Sequence, residues 1–506
     1  MSRRSLIIGA RRSPLARVQA QATGAALLRA GIAREITYRF IESSGDRSAE
    51  PSAAKVTARG GFTADLGQLL DDGAIDLAVH SWKDLPLADR PGTEVVATLP
   101  RADARDVLLI RRSSLTGSSI PNLTILSSSE RRRRSLESFL HWALPVRIDA
   151  VRFVPVRGDI GTRLTKLLRG DGDALVIAKA AIDRLLCTRH ADPADAGLDE
   201  TRERVRLALA SCRAIVLPLA SSPAAPGQGA LAIETRRDAA ALQSALATVN
   251  DADTFELVQR ERDLASGMSG DVEPVGVTRL RFAEADVEFV RGSRGDQIEN
   301  RVALHRRAAG LPRPHSAEAV WIGDDEGSVA LERLPIAARL PALSERTGLL
   351  VARAEALPPD VALNDAVVWT AGLATWRKLA ARGVWVTGSD ESLGETGAVA
   401  IREWFPQITQ WLKLSHAEGY EPSLATLLPT YRIRRTAPLA SLHSRTHFFW
   451  NSGSQLRAYL AAFPGLAQAW HGCGPGNSLR IARDLLGADR VQPFLNGGQF
   501  REELLA

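Results

Sequence analysis

The sequence predicts an α/β multi-domain chain with two α/β lobes, a small α+β domain and a further α/β domain at the C-terminal end. Three observations carry this. Short β-type runs alternate with helical patterns through the first two hundred residues, the βαβ rhythm of a helix-covered, mostly parallel sheet. The proline- and glycine-rich stretch LPLASSPAAPGQG then gives way to a strand-like run, ALAIETR, as when a chain crosses back to complete an earlier sheet. Beyond about residue 239 the pattern shifts to two helical segments followed by alternating strands, and then returns to α/β character. A chain of 506 residues is also too long for one ordinary core.

Taken in order, SLIIGA, ITYRFIES and IDLAVHS are strand candidates, separated by the helical patterns PLARVQAQATGAALLRAG and FTADLGQLLDDG. They define a first lobe over residues 1–100, completed by 214–236. DVLLI, LTILSS, VRFVPVRG and DALVIA are the strands expected of a second lobe, 101–213. VGVTRLRF, DVEFVRGS and NRVALHRR alternate as a small antiparallel sheet does, within a third domain over 237–335. After the bridge RLPIAARLPALSER, the runs GLLVARA, AVVWTA, GVWVTG, HFFWNS and AWHGCG begin and extend the last domain, 346–506.

Composition excludes several functions. Hydrophobic residues make up 45% and charged residues 24%, as in water-soluble globular chains, and no apolar run reaches the roughly 20 residues needed to cross a bilayer. The apolar run in MSRRSLIIGARRSP is too short for a signal-peptide core, so the expected compartment is the cytoplasm. Cys187, Cys212 and Cys473 lie far apart, which argues against a disulfide framework and a zinc site. A net charge of +6 is compatible with nucleic acid, but the arginines are scattered and there are only 4 tyrosines to stack on bases. A small polyanion fits the same charge.

The candidate site residues sit where strands end and helices begin, the positions that build sites in α/β folds. VHSWKDLP offers Ser81, Lys83 and Asp84. ARRSPLARVQAQ offers Arg11 and Ser13, and AKVTARGGF offers Lys55 and Arg59 beside two glycines. LSSSERRRR places Ser127, Ser128, Ser129, Arg131 and Arg132 at a helix start, where free backbone N–H groups favour anions, and VRGDIGTRL adds Arg157 and Arg163 at another. Each alone is more often a solvated helix start. Together they describe two lobes with cationic rims, and arginine matches carboxylates through its bidentate fork. Asp84, a carboxylate among cations, stays ionised and suits the stabilisation of a developing cation.

In order and spacing, the runs ARRSPLA, AKVTARGGF, DLAVHSWKDLP, ADARDVL, SSSERRR, VRGDIGTRL and SPAAPGQGALAIE resemble the hydroxymethylbilane synthase (porphobilinogen deaminase) family from about residue 5 to about residue 310. The resemblance implies two lobes like those of periplasmic binding proteins and a reaction that links four porphobilinogens head to tail with release of ammonia. It implies that Asp84 stabilises the cations formed during chain growth. Arg11, Ser13, Gln19, Lys55, Arg59, Ser81, Lys83, Ser127, Ser128, Ser129, Arg131, Arg132, Arg157, Arg163 and Arg184 would hold the acetate and propionate groups of porphobilinogen, the linear tetrapyrrole and a dipyrromethane cofactor.

One departure stands out. The family anchors its dipyrromethane through a cysteine in the third domain, and in the matching stretch, SGDVEPVG, Asp271 occupies that position. An aspartate cannot form a thioether, so covalent attachment is not expected in the usual way. The missing cysteine leaves open an alternative, an inactive porphobilinogen- or tetrapyrrole-binding or regulatory protein derived from the enzyme. The last domain resembles uroporphyrinogen III synthase through HFFWNSGSQLRAYL and WHGCGPGNSLRIARDLLGADRV, with Ser452, Ser454 and Ser478 in the loops that would meet carboxylates. A packing or docking role for it also stays open.

Overall fold

The computed structural model describes residues 4–42, 64–117, 119–187, 195–268, 276–282, 284–294, 297–307, 310–323, 331–336, 340–394, 399–435, 442 and 444–506. They form two compact units. The first comprises Met1–His141, Val146–Arg279 and Phe289–Arg301, and the second comprises Trp142–Pro145, Leu280–Glu288 and Val302–Ala506. The expected mixed α/β class holds throughout.

The first unit opens with β1 (Arg4–Arg11), α1 (Pro14–Arg29), β2 (Ala33–Ile41), α2 (Ala64–Asp71), β3 (Leu77–Ser81) and β4 (Thr93–Ala97). Leu6, Ile8 and Ala10 alternate along β1 toward the core and meet Ala20 and Leu27 of α1, the period-two and helical patterns interlocking on one face. Ser13 starts α1 by accepting from the Ala16 amide, with Pro14 in the first turn, where no backbone N–H is needed. The chain then passes through β5 (Asp106–Arg111), β6 (Ser119–Ile120), β7 (Leu123–Leu126), α3 (Glu130–Ala143), β8 (Arg147–Ile148), β9 (Val151–Val154), α4 (Ile160–Arg169), β10 (Ala174–Ala178), α5 (Lys179–Cys187), α6 (Ala196–Ser211) and β11 (Cys212–Val216). It returns through β12 (Leu231–Arg236) before α7 (Ala240–Leu246) and α8 (Ala252–Met268).

Two five-stranded sheets result, ordered β2-β1-β3-β12-β4 and β11-β5-β10-β7-β9. β12 lies antiparallel between β3 and β4, so the first sheet is discontinuous in sequence. The sequence reading returned the chain to the first lobe at residue 214, but β11 pairs antiparallel with β5 in the second sheet and only β12 crosses back. The two helical segments expected after residue 239 are α7 and α8. Leu246 of α7 joins the core of the first sheet, and Val258 of α8 packs on Trp82. β13 (Gly276–Phe282), β14 (Ala285–Arg294) and β15 (Gln297–Arg306) follow as a three-stranded sheet.

The second unit differs from expectation. β16 (Val320–Trp321) and β17 (Leu331–Pro335) were assigned by sequence to the small domain, yet both pair with later strands. After them come β18 (Thr347–Val351), β19 (Val367–Thr370), α9 (Leu373–Ala380), β20 (Gly388–Ser389), β21 (Gln410–His416), β22 (Thr426–Arg435), β23 (His447–Trp450), α10 (Gly453–Ala462), β24 (Trp470–Cys473), α11 (Asn477–Leu486), β25 (Val491–Pro493) and α12 (Gly497–Leu505). They build a four-stranded parallel sheet, β16-β23-β24-β25, and a six-stranded sheet, β17-β22-β21-β18-β19-β20. β17 is antiparallel to β22, and the remaining pairs of the six-stranded sheet are parallel. The chain therefore crosses between these lobes twice, once before β17 and once after β22. The short strands β16 and β17 carry too little periodicity to reveal this in the sequence.

Candidate active site

In the first unit, parallel pairing of β1 with β3 brings the ends of both strands to one edge of the first sheet. Arg11 ends β1 and Ser13 caps α1. Ser81 ends β3 and pairs with the buried Gln19 amide of α1 at 2.9 Å, and the turn Trp82–Asp84 then presents Lys83 and Asp84. In the second sheet, Ser127, Ser128 and Ser129 follow β7 and Arg157 follows β9, whose parallel register aligns Leu126 with Val154. Ser128 Oγ donates to the Val156 carbonyl and accepts from its amide at 2.8 and 2.9 Å, so it ties these two strand ends together. Ser127 and Ser129 accept backbone N–H groups from Ser129 and Arg132.

Arg131 and Arg132 differ from the free rim cations expected. Both are buried and held from behind by Asp106, whose carboxylate oxygens lie 2.7 Å from a guanidinium nitrogen of each. Arg131 also donates to the Pro223 carbonyl and Arg132 to that of Val176. Arg133 and Arg134 lie on the outer face, paired with Glu130. Sequence reading missed Asp106 and Gln228, although both lie within the quoted runs ADARDVL and PGQG. The clue was a charged residue opening an otherwise apolar strand.

The same hub reaches the first lobe. Gln228 Nε2 donates to Asp106 at 2.9 Å, and Gln228 Oε1 accepts from the Lys83 ammonium at 3.0 Å. Burial pushes Lys83 down to about 8; Asp84 and Asp106 oppose that shift, and Arg132 and Arg131 add to it. Burial also works against the charge of Asp106, but Arg132 and Arg131 overcome it and hold the group far below the usual carboxylate range. Burial likewise lowers Arg163, which stands within the fields of Arg132, Asp84, Asp159 and Arg11. Asp84 itself is exposed and makes no hydrogen bond or ion pair among the described residues.

Other expected residues stand apart from this cluster. Arg184 donates to the Gly229 carbonyl at 2.6 Å, and burial brings it down to about 10. Arg157 is exposed, and its carbonyl accepts from Lys166. Lys55, Arg59 and Asp271 lie outside the described residues. Among the described residues no cluster of His, Cys, Asp and Glu suits a metal ion, and no helix is long and apolar enough to cross a membrane.

The first unit is thus built of two α/β lobes whose strand ends bring Arg11, Lys83 and Arg163 near Asp84, a carboxylate unpaired among the described residues. Residues 6–244 match the family model described as porphobilinogen deaminase, dipyromethane cofactor binding domain. Porphobilinogen deaminase of Mycolicibacterium gilvum is 37% identical over 270 residues, covering 53% of this chain and 76% of that one. That of Nocardia farcinica is 34% identical over 330 residues, covering 65% and 83%. The chain belongs to the porphobilinogen deaminase family. Among solved structures, the methionine-binding protein MetQ aligns with 50% of this chain and 92% of its own at 13% identity, with a TM-score of 0.28, too low a likeness to carry an argument.

The second unit has a cleft of about 680 Å³ between its own two lobes. Arg353 and His416 stand at the ends of β18 and β21, with Ser452, Ser454 and Ser478 after β23 and β24, again the strand-end side. Arg457 and Arg480 line it as well, together with Glu418 and Glu421. The guanidinium of Arg480 lies 4.0 Å from the centre of the Tyr420 ring.

Proposed function

We propose that the chain is a hydroxymethylbilane synthase, joining four porphobilinogens into a linear tetrapyrrole with release of ammonia. The observation that carries this reading is Asp84, an exposed carboxylate left unpaired among the described residues although Lys83 and Arg163 both lie within its field. Capture of carboxylates alone has no use for a negative group there. A cation that develops on a pyrrole methylene as ammonia departs does have a use for it. Arg11, Arg163 and Lys83, with Ser81 and Ser129 beside them, supply the donors for substrate acetate and propionate groups.

The same donors fit the carboxylates of a dipyrromethane primer, which when bound supplies the free pyrrole carbon that the first substrate ring joins. With aspartate at 271, a thioether there has no sulfur, and we propose that ion pairs hold the primer. The test is incubation with porphobilinogen, following ammonia and tetrapyrrole release, with intact mass measured before and after. Turnover without a covalent pyrrole adduct is expected. Binding without any tetrapyrrole would favour the inactive, porphobilinogen-binding alternative, to which the missing cysteine points.

For the second unit, the serine- and arginine-lined cleft favours a polycarboxylate ligand. Together with the resemblance to uroporphyrinogen III synthase, it supports ring closure of the first unit's product. Replacing Arg353 and Arg457 by alanine should leave porphobilinogen consumption unchanged and shift the cyclised product from the type III to the type I isomer. An isomer ratio identical to wild type would remove this reading.

A further inference from the structure

Two arginines of the first unit, and through Gln228 a lysine, meet at a buried residue. Asp106 opens β5 and is fully buried. Its carboxylate receives Arg131, Arg132 and Gln228, and Gln228 relays the contact to Lys83. Arg131 and Arg132 belong to the second lobe, Lys83 to the first, and Gln228 to the connection between β11 and β12 that joins the two sheets. That connection is itself laced to the strand entry, since Gln228 also donates to the Ala104 carbonyl and the Ala102 amide donates to Gly229. Each guanidinium keeps N–H groups beyond those given to Asp106 and the backbone, so fixing its plane fixes where those remaining donors aim.

We propose that Asp106 is a positioning residue for the reaction, setting through Arg131, Arg132 and the Gln228–Lys83 relay the placement of cations from both lobes around Asp84. This rests on the reading that the first unit takes porphobilinogen. Truncating the hub leaves buried cations unbalanced, so a loss of activity alone would not separate positioning from folding. A second readout does.

The experiment compares the full-length wild type with Asp106→Asn, Gln228→Ala and Asp173→Asn. Asp173 is a carboxylate of the same lobe, bound to Ser114 and the Thr124 amide, and it pairs with Arg111 at the far end of β5. Porphobilinogen kinetics are measured together with the pH dependence of Lys83 acylation, read by peptide mass spectrometry. The charged groups facing Lys83 are Asp84, Arg132, Asp106 and Arg131. Removing the Asp106 charge leaves the arginines unopposed, so the Lys83 midpoint moves to lower pH, while kcat/KM falls by about 100-fold, most of it in KM. Gln228→Ala shifts the midpoint in the same direction, and Asp173→Asn leaves it where it was. A folded Asp106→Asn protein with the wild-type midpoint and KM overturns the proposal. If that variant does not fold, an unchanged midpoint in Gln228→Ala overturns it. A wild type that makes no tetrapyrrole would end the enzyme reading without touching the acylation result.

Discussion

Asp84 and Lys83 are adjacent in sequence and opposite in surroundings. Lys83 is held by Gln228, whereas Asp84 is exposed and unpaired among the described residues. Replacing Asp84 by alanine should therefore cost little stability. It should lower kcat by at least about 100-fold with nearly unchanged ligand affinity, because its charge matters chiefly as the cation develops. Turnover paired with titration of bound porphobilinogen checks this; weakened affinity at unchanged kcat would assign Asp84 a binding role instead. His471 makes a different kind of prediction. It is fully buried, accepts the Trp450 indole N–H at Nδ1 and donates through Nε2 to the Leu466 carbonyl, and burial brings it down to about 4. Between its ordinary 6.5 and about 4, the unfolded chain takes up a proton that the folded chain refuses. Stability should therefore fall by up to about 3 kcal/mol as pH drops through that window. His471→Gln should flatten this slope in denaturant titrations at several pH values.

Among the elements, the connection between β11 and β12 is the most constrained. Gly229 has φ +88, and a Cβ there would lie 2.3 Å from the Ala102 carbonyl oxygen. Gly229→Ala should cost about 2 kcal/mol or more, since positive φ strains an L-residue and the clash is with backbone that cannot rotate away. Thermal unfolding measures it, and an unchanged midpoint would show that the connection can relax. This element also marks how far the sequence could be read. The motifs around Ser13, Ser81 and Ser129 were legible because strand-to-helix junctions have local signatures: a cap, a proline in the first turn, a switch of period. Asp106 was not, since its meaning depends on Arg131, Gln228 and Lys83, which are distant in sequence and come together only in the fold. The two arginines were read as rim cations for the same reason, their buried partner being invisible to periodicity.

At the scale of the whole molecule, the α/β class was legible because it rests on repeated local rhythm. The lobed form of the second unit was not, because two short strands, β16 and β17, decide it by pairing with segments roughly a hundred residues later. A discontinuous lobe has a consequence for the order in which the protein is made. β12 stands inside the first sheet, between β3 and β4. A ribosome must therefore release the whole of the second lobe before the first can close. The second sheet, by contrast, is assembled from one uninterrupted stretch between β5 and β11. Domains that fold as units during synthesis emerge N-terminal first, but here the lobe begun first should finish last. Nascent chains arrested with about 225 residues exposed should show a protease-resistant second lobe while the first remains open to cleavage, and the sheet bearing Arg11 and Asp84 should acquire its resistance only after Arg236 has left the exit tunnel.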